Sequence, residues 1–367
     1  MKTTEWTEVY QPFNSAKHFS QIYRWSEVGK TPPPAPASIS LDPSNLCQLD
    51  CVWCNSSHIK GLNPKMISQE VLRDIAFSLP YFTDHPRYGH VEAVCVAGGG
   101  EPLMNPYTQD FIELASGEGV KVGLITNGIL LNEFDVVNCD WLGVSVDAGR
   151  RETYKELKGS DQFHKVIRNI EDAVNTPGRL NKPGRAHGVN YKFVMYPKNI
   201  EDIHEATIIA KATGCRSIHI RPYAIPFKNQ GIPFSPKEIV LFREQLDKAR
   251  TLETDDFKVY GITHKYGEQF ETDNNFKTCK AILFSATIEP PTDEGFDVSL
   301  CCDRRGDPLL KLPNTNLDEL KQFWGSEYHL SLVDKIDPKS CPRCTRGPHN
   351  KTYEGAVAQE NMSHEFG

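Results

Sequence analysis

Three cysteines near the start of the chain, Cys47, Cys51 and Cys54, follow a C-x3-C-x2-C spacing. Three thiolates held this close together suit three corners of a cubane iron–sulfur cluster, whose fourth iron then has no protein ligand. An open metal position is where chemistry can take place, whereas a closed structural site uses four ligands. The spacing therefore predicts a metal centre that is open to a ligand. A zinc site completed by a distant residue and three unrelated buried thiols are the alternatives.

The chain of 367 residues is long enough for one large α/β domain and a smaller one. It has no apolar run long enough to span a membrane, and its first residues lack an apolar secretory core. Its 11 cysteines are too few for a disulfide scaffold, and several stand at metal-ligand spacings. We therefore predict a cytoplasmic protein. The net charge of −7 argues against a broad affinity for nucleic acids.

Beyond an irregular, proline-rich lead-in, apolar segments typical of strands alternate with segments of helical periodicity. Six strands joined by helices predict a parallel sheet with right-handed crossovers. Such sheets bind ligands at the carboxyl ends of their strands. The predicted strands lie at 37–41, 91–97, 120–126, 141–146, 189–195 and 216–221.

Polar or glycine-rich motifs follow three of these strands. Gly98-Gly-Gly-Glu101 comes after the second strand, and glycines allow a backbone to approach a ligand closely. Thr126 and Asn127 close the third strand, and Ser145 and Asp147 close the fourth. Taken singly, each motif could be an ordinary turn or helix cap. Their shared place at strand ends predicts one ligand site beside the cysteine loop.

The cysteine spacing, with Trp53 just before the third cysteine, resembles the signature of the radical S-adenosylmethionine (SAM) enzymes. The resemblance covers about Ala37 to Tyr223 and implies a partial (β/α)6 barrel. It also implies a [4Fe–4S] cluster whose open iron binds the amino and carboxylate groups of SAM. One electron from the cluster would cleave SAM to a 5′-deoxyadenosyl radical, which abstracts a hydrogen atom from the substrate.

The resemblance also implies how SAM would be held. Backbone groups of the glycines and the carboxylate after them would bind the methionine amino group. Polar side chains at the end of the fourth strand would contact the ribose hydroxyls or the methionine carboxylate. An electron donor of the flavodoxin or ferredoxin type is implied as well. The predicted cofactor-binding residues are Gly99, Gly100, Glu101, Thr126, Asn127, Ser145 and Asp147.

A second set of cysteines follows the predicted barrel: Cys279, the pair Cys301 and Cys302, and the C-x2-C pair Cys341 and Cys344. A hairpin-like stretch and a helix separate them. This order resembles the Twitch domain, the shortened form of the SPASM extension, which holds one auxiliary [4Fe–4S] cluster. The implied ligands are Cys279, Cys341, Cys344 and either Cys301 or Cys302. A zinc ribbon on the same thiolates is the alternative, and zinc could not carry electrons.

The predicted fold is therefore α/β, a partial TIM-like barrel of the (β/α)6 type followed by a small C-terminal α+β iron–sulfur domain. The predicted regions are an N-terminal extension at 1–36, the barrel at 37–225, the auxiliary-cluster domain at 226–348 and a tail at 349–367.

Two enzymatic functions fit these motifs. In the first, a small polar substrate, sugar- or aminocyclitol-like, is oxidised, and the auxiliary cluster accepts the electron; Twitch relatives include an aminocyclitol dehydrogenase of this kind. In the second, a ribosomally made peptide is modified by C–S or C–C bond formation, epimerisation or backbone excision, with a separate recognition protein. Many peptide modifiers carry a winged-helix domain before the barrel, so the short segment before the first strand here favours the small substrate.

Two further alternatives are a non-enzymatic iron–sulfur sensor and a tRNA-modifying enzyme. The intact SAM-binding motifs argue against the sensor, and the lack of a basic tail or an appended RNA-binding motif argues against the tRNA enzyme. The residue that would deprotonate a substrate radical is left open among Tyr191, Lys192, Tyr196, His219 and Arg221.

Overall fold

The computed structural model describes residues 20–57, 65–178, 188–223, 234–261, 274–341 and 344–358. Parts of the predicted N-terminal extension and of the predicted tail therefore lie outside the described residues. No helix in these ranges is both long and apolar enough to cross a bilayer.

Strands and helices alternate through most of the described chain. The strands β1 to β10 are Ser38–Leu41, Ala93–Val96, Lys121–Thr126, Trp141–Ser145, Gly188–Met195, Ser217–Pro222, Lys258–Gly261, Thr287–Glu289, Phe296–Ser299 and Lys311–Thr315. The helices α1 to α10 are Ile22–Ser26, Gln69–Ser78, Thr108–Gly117, Arg151–Lys158, Phe163–Asn175, Ile203–Ala212, Pro236–Arg250, Leu317–Phe323, Glu327–Ser331 and Gly347–Ala356.

The strands form one sheet in the order β10-β9-β8-β1-β2-β3-β4-β5-β6-β7. Each neighbouring pair from β1 to β7 is parallel, which confirms the predicted parallel barrel sheet. Sequence reasoning found six of these strands and missed β7. The boundaries of the four regions named above stay a prediction.

The C-terminal part of the chain continues the same sheet past β1. Strand β8 pairs with β1 in parallel, whereas β9 runs antiparallel to both β8 and β10. The predicted fold class, an α/β barrel sheet followed by a C-terminal part with antiparallel strands, is thus confirmed. Whether the C-terminal part holds an iron–sulfur cluster depends on its cysteines.

The segment before β1 was expected to be irregular, and this expectation is wrong for α1. The buried guanidinium of Arg24 lies 2.6 Å from the Glu92 carboxylate and 2.9 Å from the carbonyl oxygen of His90, to which it donates a hydrogen bond. The Trp25 ring stacks on Phe284 at 4.8 Å. Tertiary contacts of these side chains stabilise a helix that local propensity does not indicate.

The two faces of the parallel strands differ in composition because side chains alternate along a strand. One face is apolar and buried in the core that the helices share; examples are Leu41, Val96, Leu124, Val144 and Ile220. The other face lines the barrel interior and carries polar or small residues. Its members on β1 to β7 include Ser40, Cys95, Gly123, Ser145, Lys192, His219, Arg221 and Tyr260.

Candidate metal and cofactor sites

The loop of Cys47, Cys51 and Cys54 follows β1 and lies at the carboxyl edge of the sheet, as predicted. All three side chains are partly exposed, and none is in a disulfide. The N–H groups of Asp50 and Val52 donate to carbonyl oxygens at the end of α4, at 3.2 and 3.1 Å. The loop backbone is thus anchored, its three cysteines stay partly exposed, and burial raises the pKa of the Cys51 thiol. Three soft sulfur donors of this kind suit an iron–sulfur cluster with one open position.

The glycine triplet after β2 packs directly against the cysteine loop. The N–H of Gly99 donates to the Asp42 carboxylate at 2.8 Å, and the N–H of Gly100 donates to the Ser44 carbonyl at 3.2 Å. A Cβ atom on Gly100 would lie 2.2 Å from the carbonyl oxygen of Leu46. Glycine is therefore required at this position by the neighbouring loop, in addition to any requirement of a ligand.

Glu101 joins the ends of β2 and β3. Its carboxylate accepts hydrogen bonds from the Thr126 hydroxyl at 2.5 Å and from the Asn127 N–H at 2.7 Å. The side chain is buried, with 2% exposure. Burial raises the pKa of Glu101 to about 7, although these hydrogen bonds act in the opposite direction. The structure thus brings three predicted cofactor-binding residues together, with the carboxylate already engaged by the protein.

This buried carboxyl makes stability depend on pH. Because the pKa of Glu101 is raised from 4.5 to about 7, the folded protein holds this proton more tightly than the unfolded chain. Its contribution is therefore fully present below about pH 4.5 and is lost as the pH rises to about 7, by about 3 kcal/mol. We expect the difference in unfolding free energy between the wild type and Glu101→Gln, measured in urea without SAM, to fall by about 3 kcal/mol as the pH rises from about 4.5 to about 7. A difference that is independent of pH would contradict the assignment.

The Asp147 carboxylate at the end of β4 is engaged by other groups of the protein. It forms a buried ion pair with Lys158 and accepts the Val194 N–H at 2.6 Å. Burial lowers the pKa of Lys158, but the Asp147 carboxylate outweighs this effect and raises it. Both carboxylate oxygens are engaged by the protein, so the geometry gives Asp147 a structural role at the end of β4. Its contact with SAM stays a prediction, as does that of the partly exposed Ser145.

Asn127 and an aromatic pair complete this site. The Asn127 side-chain amide donates to the Gln48 oxygen at 3.2 Å and lies 4.0 Å from the sulfur of Cys47. Asn127 therefore links the third strand to the cysteine loop. On the other side of the loop, the ring of Trp53 lies 5.6 Å from that of Tyr196. The sequence indicates Trp53 and Tyr196 separately but does not predict their contact.

Polar and aromatic side chains of β4 to β7 form a wall of the barrel interior. The Lys192 ammonium lies 3.4 Å from Nδ1 of His219 and 5.0 Å from the Trp141 ring centre. His219 also contacts the Tyr260 ring at 5.1 Å between centres. Burial raises the pKa of the Cys95 thiol on β2, and the charge of Lys192 acts on it from across the barrel. Trp141 and Tyr260 carry no sequence signal for this role.

The structure distinguishes the five candidate acid–base residues by where their side chains lie. Lys192, His219 and Arg221 share the inward face, and Tyr196 lies beside the cysteine loop. Tyr191 faces the helices instead, and its hydroxyl donates to the Ala148 carbonyl at 2.6 Å. Burial raises the pKa of Tyr191 well above its ordinary value, so it is a structural residue.

Four of the five cysteines of the second set line one cavity, whose lining is otherwise mostly apolar. Its four lining thiols are those of Cys279, Cys301, Cys341 and Cys344. Cys302 is not part of the lining, so the geometry favours Cys301 in the position that the sequence left open. Among the described residues, no three His, Cys, Asp or Glu side chains converge on a point that could hold a single metal ion.

The donor set of this cavity fits a metal cluster. Burial raises the pKa of all four thiols, so thiolates here require a compensating cation. Hydrogen bonds to cluster sulfurs are a recurrent feature of iron–sulfur sites. Each thiol has such a donor, in chain order the Asn350 amide, the Asp303 N–H, the Arg304 side chain and the Arg346 N–H.

Comparison with known proteins finds a family match for part of the barrel. Residues 41–179 match the family model of the Radical SAM superfamily. A probable GTP 3′,8-cyclase of Saccharolobus islandicus is 26% identical over 188 residues, which are 48% of this chain and 54% of that protein. An uncharacterised protein of Methanocaldococcus jannaschii, MJ0804, is 30% identical over 140 residues, 36% of this chain and 42% of that protein. The chain thus spans about half the length of the curated relatives it matches.

Two solved structures have a similar fold. Streptococcus suis SuiB superposes with a TM-score of 0.57 at 13% identity, covering 85% of this chain and 69% of SuiB. The anSMEcpe protein with bound AdoMet gives a TM-score of 0.54 at 17% identity, covering 85% of this chain and 90% of that one. The predicted radical SAM domain, with a [4Fe–4S] cluster and SAM as the cofactors of its superfamily, is confirmed. The Twitch character of the C-terminal part stays a prediction.

Proposed function

We propose that this chain, which carries a radical SAM domain at residues 41–179, is an enzyme that cleaves SAM reductively and abstracts a hydrogen atom from its substrate. The observation that carries the proposal is the packing of a partly exposed three-cysteine loop against the Gly98–Glu101 motif at the carboxyl edge of the sheet. Cys47, Cys51 and Cys54 would hold a [4Fe–4S] cluster, which when bound would supply the electron for SAM cleavage.

Protein groups around this loop would bind and orient SAM. The backbone of Gly99 and Gly100 faces the loop closely enough to hold the methionine end of the cofactor. Asn127 and Ser145 present polar side chains from the ends of β3 and β4. Trp53 and Tyr196 cover one side of the loop and would limit the access of water to the reacting atoms.

For the substrate, we favour a small polar molecule of the sugar or aminocyclitol class that is oxidised. The wall of Lys192, His219 and Trp141 supports this choice, because it offers hydrogen-bonding groups and an aromatic face on the inward side of the strands. After hydrogen abstraction, loss of one proton and one electron turns a carbinol carbon into a carbonyl. His219 and Lys192 are placed to carry the proton. Cys279, Cys301, Cys341 and Cys344 would hold the cluster that accepts this electron.

The second candidate is the modification of a ribosomally made peptide with a separate recognition protein. The fold supports it: SuiB, whose structure is also known bound to the precursor peptide SuiA, superposes with a TM-score of 0.55 in that form. A nucleotide substrate is a further class to test, because several relatives are named probable GTP 3′,8-cyclases. An electron donor of the flavodoxin or ferredoxin type belongs to the proposal in each case.

The reconstituted protein is expected to convert SAM to methionine and 5′-deoxyadenosine when dithionite is added under anaerobic conditions. Mass spectrometry of 5′-deoxyadenosine then tests the substrate class, since a deuterated substrate transfers its deuterium to this product. We expect transfer from a deuterated aminocyclitol and none from a deuterated precursor-type peptide or from GTP. Transfer from the peptide or from GTP would overturn the substrate class but keep the radical chemistry. Iron-loaded protein that forms no 5′-deoxyadenosine would overturn both.

A further inference from the structure

A buried ion pair connects the C-terminal cysteine loop to the barrel. The Arg305 guanidinium pairs with the carboxylate of Asp42, the residue directly after β1. The two side chains are 13% and 1% exposed. A second carboxylate, that of Glu289 at the end of β8, lies 3.6 Å from the same guanidinium. Arg305 and Asp42 are separated by 263 positions in the sequence, so the pair is a long-range contact between two parts of the chain.

The Asp42 end of this pair reaches the predicted SAM-binding backbone. The oxygen of Asp42 that pairs with Arg305 also accepts the Gly99 N–H, at 2.8 Å. The next residue of this motif, Gly100, donates to the Ser44 carbonyl in the cysteine loop. One carboxylate oxygen thus fixes a backbone amide of the glycine motif, and Arg305 holds that oxygen in place.

The Arg305 end of the pair belongs to the loop that lines the four-thiol cavity. Cys301 contributes its thiol to the cavity, and its carbonyl accepts the Arg304 N–H at 3.3 Å. Asp303 accepts the Thr345 N–H at 2.5 Å, which ties the loop to the segment after Cys344. A short, internally bonded loop therefore carries both a cavity thiol and the guanidinium that orients Asp42.

We propose that Arg305 is a positioning residue that couples metal binding in the four-thiol cavity to SAM binding at the glycine motif. A metal held by Cys301 orders the loop at 301–305, so that Arg305 holds Asp42 and Asp42 holds the Gly99 amide in place. Coupling of this kind is reciprocal, because linked binding equilibria change each other by the same factor. The inference rests on the proposed function, since it requires SAM to bind at this motif.

The coupling is tested by the SAM dissociation constant of anaerobic, iron-loaded protein, measured by equilibrium dialysis. We expect Cys341→Ala/Cys344→Ala, which removes two cavity thiols, to weaken SAM binding about tenfold, as expected for one charge-assisted hydrogen bond. Arg305→Gln should weaken it to a similar extent. Adding Arg305→Gln to the cavity variant should then cause no further loss, because both changes break the same connection.

Two further variants separate this role from a general loss of stability. Asp42→Asn/Arg305→Gln removes both charges, so neither Asp42 nor Arg305 is left as an uncompensated buried charge. It should fold, keep its iron and show no dependence of SAM affinity on the cavity thiols. Arg250→Gln, in an exposed ion pair with Asp247 on α7, is the matched control and should keep the tenfold dependence.

The outcomes distinguish this inference from the function on which it rests. A tenfold effect of the cavity thiols that persists without Arg305 overturns the coupling role. A wild-type SAM affinity that is independent of the cavity thiols overturns it as well. In both cases the formation of 5′-deoxyadenosine by the wild type is unaffected. A wild-type protein that neither binds nor cleaves SAM overturns the proposed function first.

Discussion

Replacement of Cys51 by alanine is expected to lower the rate of 5′-deoxyadenosine formation by about a thousandfold or more. Cys51 is one of only three thiolates available to the cluster in this loop, and its backbone carbonyl also accepts the Cys54 N–H at 3.0 Å. A cluster held by only three cysteines cannot lose one of them and still be held at a fixed position. The measurement is anaerobic turnover of SAM with dithionite, quantified by mass spectrometry of 5′-deoxyadenosine.

The matched control is a cysteine that the structure gives no metal-binding role. Cys215 is buried beside the hydroxyl of Thr213, and burial raises the pKa of its thiol to about 12. It is therefore a neutral core side chain at physiological pH. Cys215→Ala should keep its iron and its turnover. Turnover close to the wild-type rate in Cys51→Ala would remove the basis of the proposed function.

The second large effect, on the iron content of the protein, is expected from substitution of Cys301 and not of its neighbour Cys302. In a protein that already carries alanine at Cys47, Cys51 and Cys54, about four irons should remain after reconstitution, as expected for one cubane cluster. The further change Cys301→Ala should reduce the iron content to near zero, whereas Cys302→Ala should leave it unchanged. The reason is geometric: Cys301 lines the four-thiol cavity, and Cys302 does not.

Iron, sulfide and zinc should be quantified on the same samples. Equal iron losses in the two variants would show that the cavity does not select Cys301. Near-zero iron with zinc retained in the parent variant would make the C-terminal site structural, and the proposed oxidation would lose its electron acceptor. In that case the assignment of the first cysteine loop would still stand, because it rests on a separate set of thiols.

Much of the candidate site could be predicted from sequence because its signals are local. The spacing of Cys47, Cys51 and Cys54 places three thiols in one loop whatever the rest of the chain does. The position of the glycine motif after an apolar alternating segment places it at a strand end, and parallel strands bring such ends to one edge. Position at a strand end is a signal that also applies to Asp42, a carboxylate directly after the first strand.

Other features depend on which side of a strand faces inward and on which strands are neighbours. Tyr191 and Lys192 are adjacent in sequence, yet one packs against the helices and the other faces the barrel interior. Asp147 carries the polar side chain expected at the end of the fourth strand, but its ion pair with Lys158 engages it within the protein. Neither outcome can be derived from composition or spacing.

The sequence by itself determined the two cysteine sets, the parallel α/β architecture and the strand-end motifs, because each is encoded by residues close together in the chain. Only the tertiary structure favours Cys301 over Cys302, places His219 and Lys192 in the interior, and joins Arg305 to Asp42. The contact between Arg305 and Asp42 depends on β8 pairing with β1, which brings the C-terminal loop beside the predicted SAM-binding motif. Such long-range pairing follows from the packing of the whole sheet, and no short segment of sequence specifies it.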